Sequence, residues 1–126
     1  MSWQAYVDNL VASQRVDKAI LASRAGDSVW AASAGFDPSG DELSNIAKGF
    51  DEPEFLQVNG LRIQGQKYFV VKIEDRSIYG KLGEDGVVCV RTNQTILIAH
   101  YSKPVTAGEA IKVTEAMADY LVSVNF

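Results

Sequence analysis

The sequence predicts an α+β fold, a central antiparallel sheet of about seven strands flanked by helices, with the first and last helices side by side. Three observations predict it. Both ends of the chain repeat apolar residues at helical spacing, and the second half alternates short strand-like runs with glycine- and acid-containing turns. The segment TILIAHY is also apolar at nearly every position from Ile96 to Ala99, so it needs cover on both faces.

At the N-terminal end, Trp3, Tyr6, Val7, Leu10 and Val11 recur at i, i+3, i+4, i+7 and i+8, with Ser2 as N-cap, which predicts a helix over roughly 2–13. DKAILAS and SVWAAS then read as two strands joined by a turn at Arg24-Ala25-Gly26-Asp27, and the second carries Trp30. Pro38 begins a helical candidate, with Asp41 and Glu42 near its start and Lys48 and Gly49 near its end, as the helix dipole and C-terminal glycine preference require. A short turn over Pro53 to Leu56 follows. From Gly60 onward, breaks at Gly65, Asp75-Arg76, Gly83 to Gly86 and Thr92 to Gln94 imply a meander of about five strands. In KYFVVKI, alternation places Lys67, Phe69, Val71 and Ile73 on one face and Tyr68, Val70 and Lys72 on the other, the non-core face. Ala110, Val113, Met117, Tyr120, Leu121 and Val124 follow helical spacing in a final helix from about Ala107 to Ser123.

A chain of 126 residues and 13.7 kDa fits one domain over 1–126. No charged leader precedes an apolar stretch, and no segment approaches the ~20 apolar residues of a membrane span, so a cytoplasmic protein is expected. The net charge of −4 argues against nucleic-acid binding. It is unevenly spread: from Arg62 to Lys112, eight basic residues face five acidic ones, and the remainder of the chain is −7. That basic region suits one acidic partner, a protein or a phospholipid headgroup. It reads equally well as a solvated sheet face.

Catalytic constellations are missing. His100 is the only histidine and Cys89 the only cysteine, the latter inside the buried-looking run VVCV, so no metal set or Cys-His pair forms. His100 reads as a hydrogen-bonded residue at a sheet edge. GLRIQG, residues 60–65, lacks the lysine and hydroxyl of a phosphate-binding loop. The paired acids at Asp41-Glu42, Asp51-Glu52, Glu74-Asp75 and Glu84-Asp85 all fall in turns or at helix ends, where turn chemistry accounts for them. No enzyme, cofactor or metal is expected.

The aromatics support two readings. Trp3 and Tyr6 lie about 60° apart on the first helix, while Tyr120 and Phe126 would lie about 120° apart on a continuing last helix. With the two helices adjacent, these rings border one shallow groove beside Trp30, suited to a proline-rich peptide that is already extended and stacks on ring faces. Otherwise Trp3 and Tyr6 simply pack on the sheet as core.

Four segments, MSWQAYVDNL, SRAGDSVWAASAGF, GQKYFVVKIEDRSIYGK and EAMADYLVSVNF, resemble profilin, especially the compact fungal-type members, nearly end to end. The resemblance implies a profilin-like sheet with the terminal helices on one face and short helices on the other. It further implies a monomer, cytoskeleton-associated, that binds monomeric actin and proline-rich proteins such as formins, binds phosphoinositide headgroups, and regulates actin polymerisation and nucleotide exchange on actin. Carried over by position, the polyproline site falls on Trp3, Tyr6, Trp30, Tyr120 and Phe126, with Phe126, lacking a hydroxyl, expected to matter least. The actin surface falls on Lys72, Arg76, Tyr79 and Lys81, and also on Arg91, Thr106, Gly108 and Lys112. An alternative of a different class is a small-ligand sensor domain, also a helix-flanked antiparallel sheet, which needs an internal pocket.

Overall fold

The computed structural model describes residues 2–126. Ser2 caps the first helix, α1 (Trp3–Ala12), by accepting from the Ala5 N–H, and Tyr6, Val7 and Leu10 turn inward at the expected spacing. β1 (Lys18–Ser23) and β2 (Val29–Ala32) form the hairpin. The next helix, α2 (Gly40–Gly49), begins after Ser39, because Ser39 and Glu42 cap each other reciprocally. The turn expected at Pro53 extends into a helix of 7 residues, α3 (Pro53–Asn59). Pro53 suits the first helical turn, where an N–H would have no partner, and Gly60, at φ +80°, ends it.

Five strands follow: β3 (Leu61–Ile63), β4 (Gln66–Ile73), β5 (Ser77–Leu82), β6 (Asp85–Arg91) and β7 (Thr95–Tyr101). The last helix is α4 (Ala107–Ser123), opened by a second capping box between Thr106 and Glu109. All strands pair antiparallel in the order β2-β1-β7-β6-β5-β4-β3. β7 is therefore interior, and its two faces are both covered. Leu97 and Ala99 pack with Tyr6, Val7, Leu10 and Leu121 of the terminal helices. Ile96 and Ile98 pack with Phe36, Leu43, Ile46 and Leu56 on the α2 and α3 side. Each fully buried aliphatic side chain contributes roughly 1.5–3 kcal/mol, so this doubly covered strand anchors both cores. Cys89 lies in the second core, where burial alone pushes its thiol up to about 12, so it behaves as a small apolar side chain.

Two expectations need correction. His100 is hydrogen-bonded, its Nδ1 2.6 Å from Asp17 Oδ1, but it is buried on the interior strand β7 rather than at a sheet edge. In β4 the alternation runs the other way and then breaks. Tyr68 and Val70 face the second core while Phe69 is 68% exposed, and a bulge between Val70 and Lys72 returns Ile73 to the Tyr68 side. Strict alternation hides such an inserted residue. Lys72 keeps its non-core placement, now in company with Phe69.

Glu42 reaches beyond its own cap. Its Oε1 accepts from the Gln64 N–H and its Oε2 from the Gly65 N–H, 2.7 and 2.8 Å away, so α2 holds the β3–β4 turn. Burial works to raise its pKa, yet the N–H groups of Gly65, Ser39 and Gln64, with Arg62 nearby, outweigh burial and hold it below the usual value. A lowered carboxyl contributes stability that is present above its unfolded pKa and is lost as pH falls through the folded one. Acid titration of Glu42→Gln should therefore show a stability lower by about 1–3 kcal/mol at neutral pH, with the gap to wild type closing in acid.

Candidate functional site

Helical spacing puts Trp3 and Tyr6 on neighbouring positions of α1, and the packing of α1 against α4 and β2 brings three more rings to them. Trp3 is the hub: its ring centroid lies 5.9 Å from Tyr6, 4.9 Å from Trp30 and 4.7 Å from Phe126. Tyr6 in turn lies 5.8 Å from Tyr120. All five rings selected from the sequence thus form one continuous array. They are tilted or edge-on to one another, geometries worth ~0.5–1.5 kcal/mol per pair beyond area burial. Tyr6 is nearly buried and Tyr120 is 47% exposed, while Trp3, Trp30 and Phe126 are half-buried, so the array is both core and surface. Trp3 and Tyr6 thus pack on the sheet as core, and the same rings border a groove beside Trp30. Burial, with the neighbouring Tyr120 hydroxyl, raises the Tyr6 phenol's pKa, which keeps it a neutral donor. From this pair a groove of about 490 Å³ runs on between α1 and α4, lined by Asn9, Leu10, Ser13, Val113 and Met117.

Phe126 arrives by a route that helical spacing does not give. α4 ends at Ser123, and Asn125, at φ +72°, turns the chain back so that the Phe126 N–H donates to the Leu121 carbonyl at 2.8 Å. The expected 120° offset on a continuing helix is replaced by an edge contact with Trp3.

A second surface lies where the sheet runs out from under the terminal helices. α1 covers β1 and β2 and α4 covers β6 and β7 and reaches Ser77 and Tyr79 of β5 through Glu115, leaving that face of β3, β4 and the Lys81 end of β5 open. Lys72 is registered opposite Tyr79, Phe69 opposite Lys81, and Arg62 opposite Lys67. These pairs, with Val71 at the bulge, make a cationic strip with an apolar centre. Glu74 lies 2.9 Å from Lys72 and raises its pKa, and Lys81 Nζ sits 5.5 Å from the Tyr101 ring centroid. Phe69 and Val71, at 68% and 67% exposure, were missed from sequence, because an aromatic and a valine within a strand read as core.

The other predicted residues of this surface divide. Arg76 is on it but engaged: its guanidinium holds Glu115 and Asp119 of α4, and Glu115 also accepts from the Ser77 and Tyr79 hydroxyls. Partial burial acts to lower the Arg76 pKa, but the two carboxylates outweigh it and raise it. Gly108, Lys112, Glu115 and Asp119 succeed one another at i, i+4, i+7 and i+11, so Gly108 and Lys112 continue the α4 stripe that borders this face. Thr106 is exposed beside them, its hydroxyl spent on the helix cap. Arg91 is not brought together with the rest. It lies over the Phe50 ring on the α2 side, paired with Asp51 at 2.9 Å and donating to the Asp75 carbonyl. Position 91 follows Cys89 on the opposite sheet face, a parity that charge counting ignores.

Among the described residues no group of three or more His, Cys, Asp or Glu could hold a metal, and no helix is long and apolar enough to cross a membrane. The chain matches the profilin family model over residues 1–126. It is 56% identical to profilin from Saccharomyces cerevisiae over the full length of both. In structure it is similar to Schizosaccharomyces pombe profilin, with a TM-score of 0.95 and 50% identity over 99% of this chain and 100% of that one. It is also similar to mouse profilin IIa in complex with a double repeat from the FH1 domain of mDia1, with a TM-score of 0.84 and 26% identity over the whole of both chains.

Proposed function

The chain belongs to the profilin family, whose members are actin-binding regulators and not enzymes, and on that premise we propose that this single domain carries two separate binding sites. The ring array of Trp3, Tyr6, Trp30, Tyr120 and Phe126 holds proline-rich segments of actin-assembly factors such as formins, a reading supported by the mouse relative's complex with a double repeat from the FH1 domain of mDia1. The exposed strip around Lys72, Tyr79 and Lys81, extended by Arg76, Phe69 and the Gly108–Lys112 edge of α4, holds an actin monomer and through it regulates polymerisation and nucleotide exchange. The observation that carries the reading is the continuous five-ring array, because a purely structural cluster would have no need to leave Tyr120 half in solvent.

A polyproline II helix loses little entropy on docking, and its carbonyls accept from the Tyr6 and Tyr120 hydroxyls that the array leaves beside the groove. The Trp30 indole N–H already donates to Ser28 Oγ, at 3.2 Å, which fixes its ring plane for stacking. On the other surface, Phe69 supplies desolvated area and the flanking cations supply steering toward an acidic partner. Phosphoinositide headgroups would draw on the same cations and so compete with actin. Such a protein works in the cytoplasm, at the cytoskeleton.

Trp3 and Trp30 are the chain's two tryptophans, and both belong to the array. Titration with a polyproline peptide should therefore give a saturable change in tryptophan emission. An unchanged spectrum at saturating peptide would remove the array from the binding role.

A further inference from the structure

We propose that Thr92, on the turn between β6 and β7, is a positioning residue for the proline-rich site, holding the Phe126 ring against Trp3 from the end of the sheet. The inference rests on the reading that Phe126 belongs to that site. The helical path of α4 does not carry this ring to Trp3, because the helix ends at Ser123 and the chain reverses at Asn125; α4 gives residue 126 one backbone bond, from the Phe126 N–H to the Leu121 carbonyl. On the side away from α4, residue 126 is held by its backbone oxygen, which accepts from the Thr92 hydroxyl at 2.7 Å and from the Gln94 N–H at 2.5 Å, while Gln94 Nε2 donates to the Asn125 carbonyl at 2.9 Å.

The anchor itself is rigid. Thr92 and Thr95 are both buried, with their hydroxyl oxygens 2.5 Å apart. The Phe126 backbone oxygen and the Thr95 carbonyl can only accept, and the former is nearer to Thr92 Oγ1, 2.7 Å against 3.5 Å, so the single Thr92 proton goes to Phe126 and the Thr95 hydroxyl donates to Thr92. The Thr95 N–H also donates to Thr92 Oγ1, and the Arg24 guanidinium holds the Thr92 carbonyl. The chain thus runs from a buried hydroxyl pair, through one backbone oxygen, to a ring whose centroid stands 4.7 Å from Trp3 at an interplanar angle of 83°. Valine matches threonine in shape but lacks the proton, so Thr92→Val cuts the chain at one atom.

Two readouts test this. In the free protein, nuclear Overhauser contacts between the Phe126 and Trp3 rings should weaken in Thr92→Val, with the Trp3 indole shifts moving toward those of Phe126→Ala, and should return in Thr92→Ser. Polyproline peptide affinity should fall about three- to tenfold in Thr92→Val, recover in Thr92→Ser, and fall no further when Thr92→Val is added to Phe126→Ala. Should Thr92→Val fail to fold, Gln94→Pro removes the other donor, and the same Trp3 shifts are expected from it. Intact ring contacts in Thr92→Val, or an equal loss of affinity in the Phe126→Ala background, would overturn the proposal. If Phe126→Ala itself leaves affinity unchanged, the placement of Phe126 in the ligand site fails, and the ring contacts alone still decide whether Thr92 positions the ring.

Discussion

Trp3→Ala should remove retention on a polyproline column while leaving actin binding intact. Trp3 contacts three of the other four rings, so truncating it deletes one ligand face and frees Trp30 and Phe126 from the plane that each now occupies. Central aromatic anchors of this kind cost ~2 kcal/mol or more when truncated, about thirtyfold or more in affinity. The buried face of α1 is formed by Tyr6, Val7 and Leu10, which the change leaves in place, so the fold persists. Tyr6→Asp should abolish retention as well. It sets a carboxylate against the Tyr120 ring at a nearly buried position, so its melting temperature should fall, unlike that of Trp3→Ala. A Trp3→Ala protein that still bound the column at wild-type strength would move the ligand elsewhere.

Lys81→Glu should do the reverse, lowering actin affinity about ten- to a hundredfold with polyproline retention unchanged. Lys81 is exposed, faces the exposed Phe69 across the strand pair, and has no carboxylate within salt-bridge distance among the described residues. Its whole charge is therefore available to an acidic partner. Lys72 is already shared with Glu74, so Lys72→Ala should cost less. The dependence of actin binding on salt should also flatten in Lys81→Glu, because exposed charges steer through a screened field. Unchanged actin affinity would contradict the placement of the actin surface on this strip.

The two proposed sites are separate surfaces because α4 stands between them. Tyr120 and Glu115 are about 140° apart around that helix, one toward the ring array and the other toward Ser77 and Tyr79. On this proposal both partners should be held at once.

Much of this was legible in the sequence, for identifiable reasons. The α1 spacing and the punctuation of the meander are local signals, and they gave the helices and strands within a few residues. The apolar run Ile96–Ala99 is local too, yet it dictated a global fact, helices on both sheet faces. What escaped depends on contacts distant in sequence. In β4 Tyr68 rather than Phe69 faces the core, and the bulge after Val70 turns Ile73 to that same side, which leaves Phe69 at the surface. Arg91 carries the right charge on the wrong face, held there by Asp51 and Phe50. Phe126 depends on a turn that lies 34 residues away in sequence from the ring it holds. Residue type predicts what a side chain can do, whereas register decides which neighbour it meets.

The most direct test of two compatible sites is to load actin monomers on polyproline resin in the presence of this protein. Wild type should carry actin onto the resin, Lys81→Glu should be retained without actin, and Trp3→Ala should leave both in the flow-through. Release of the bound protein from the resin by actin would contradict the account, since it would mean that the two ligands share one surface.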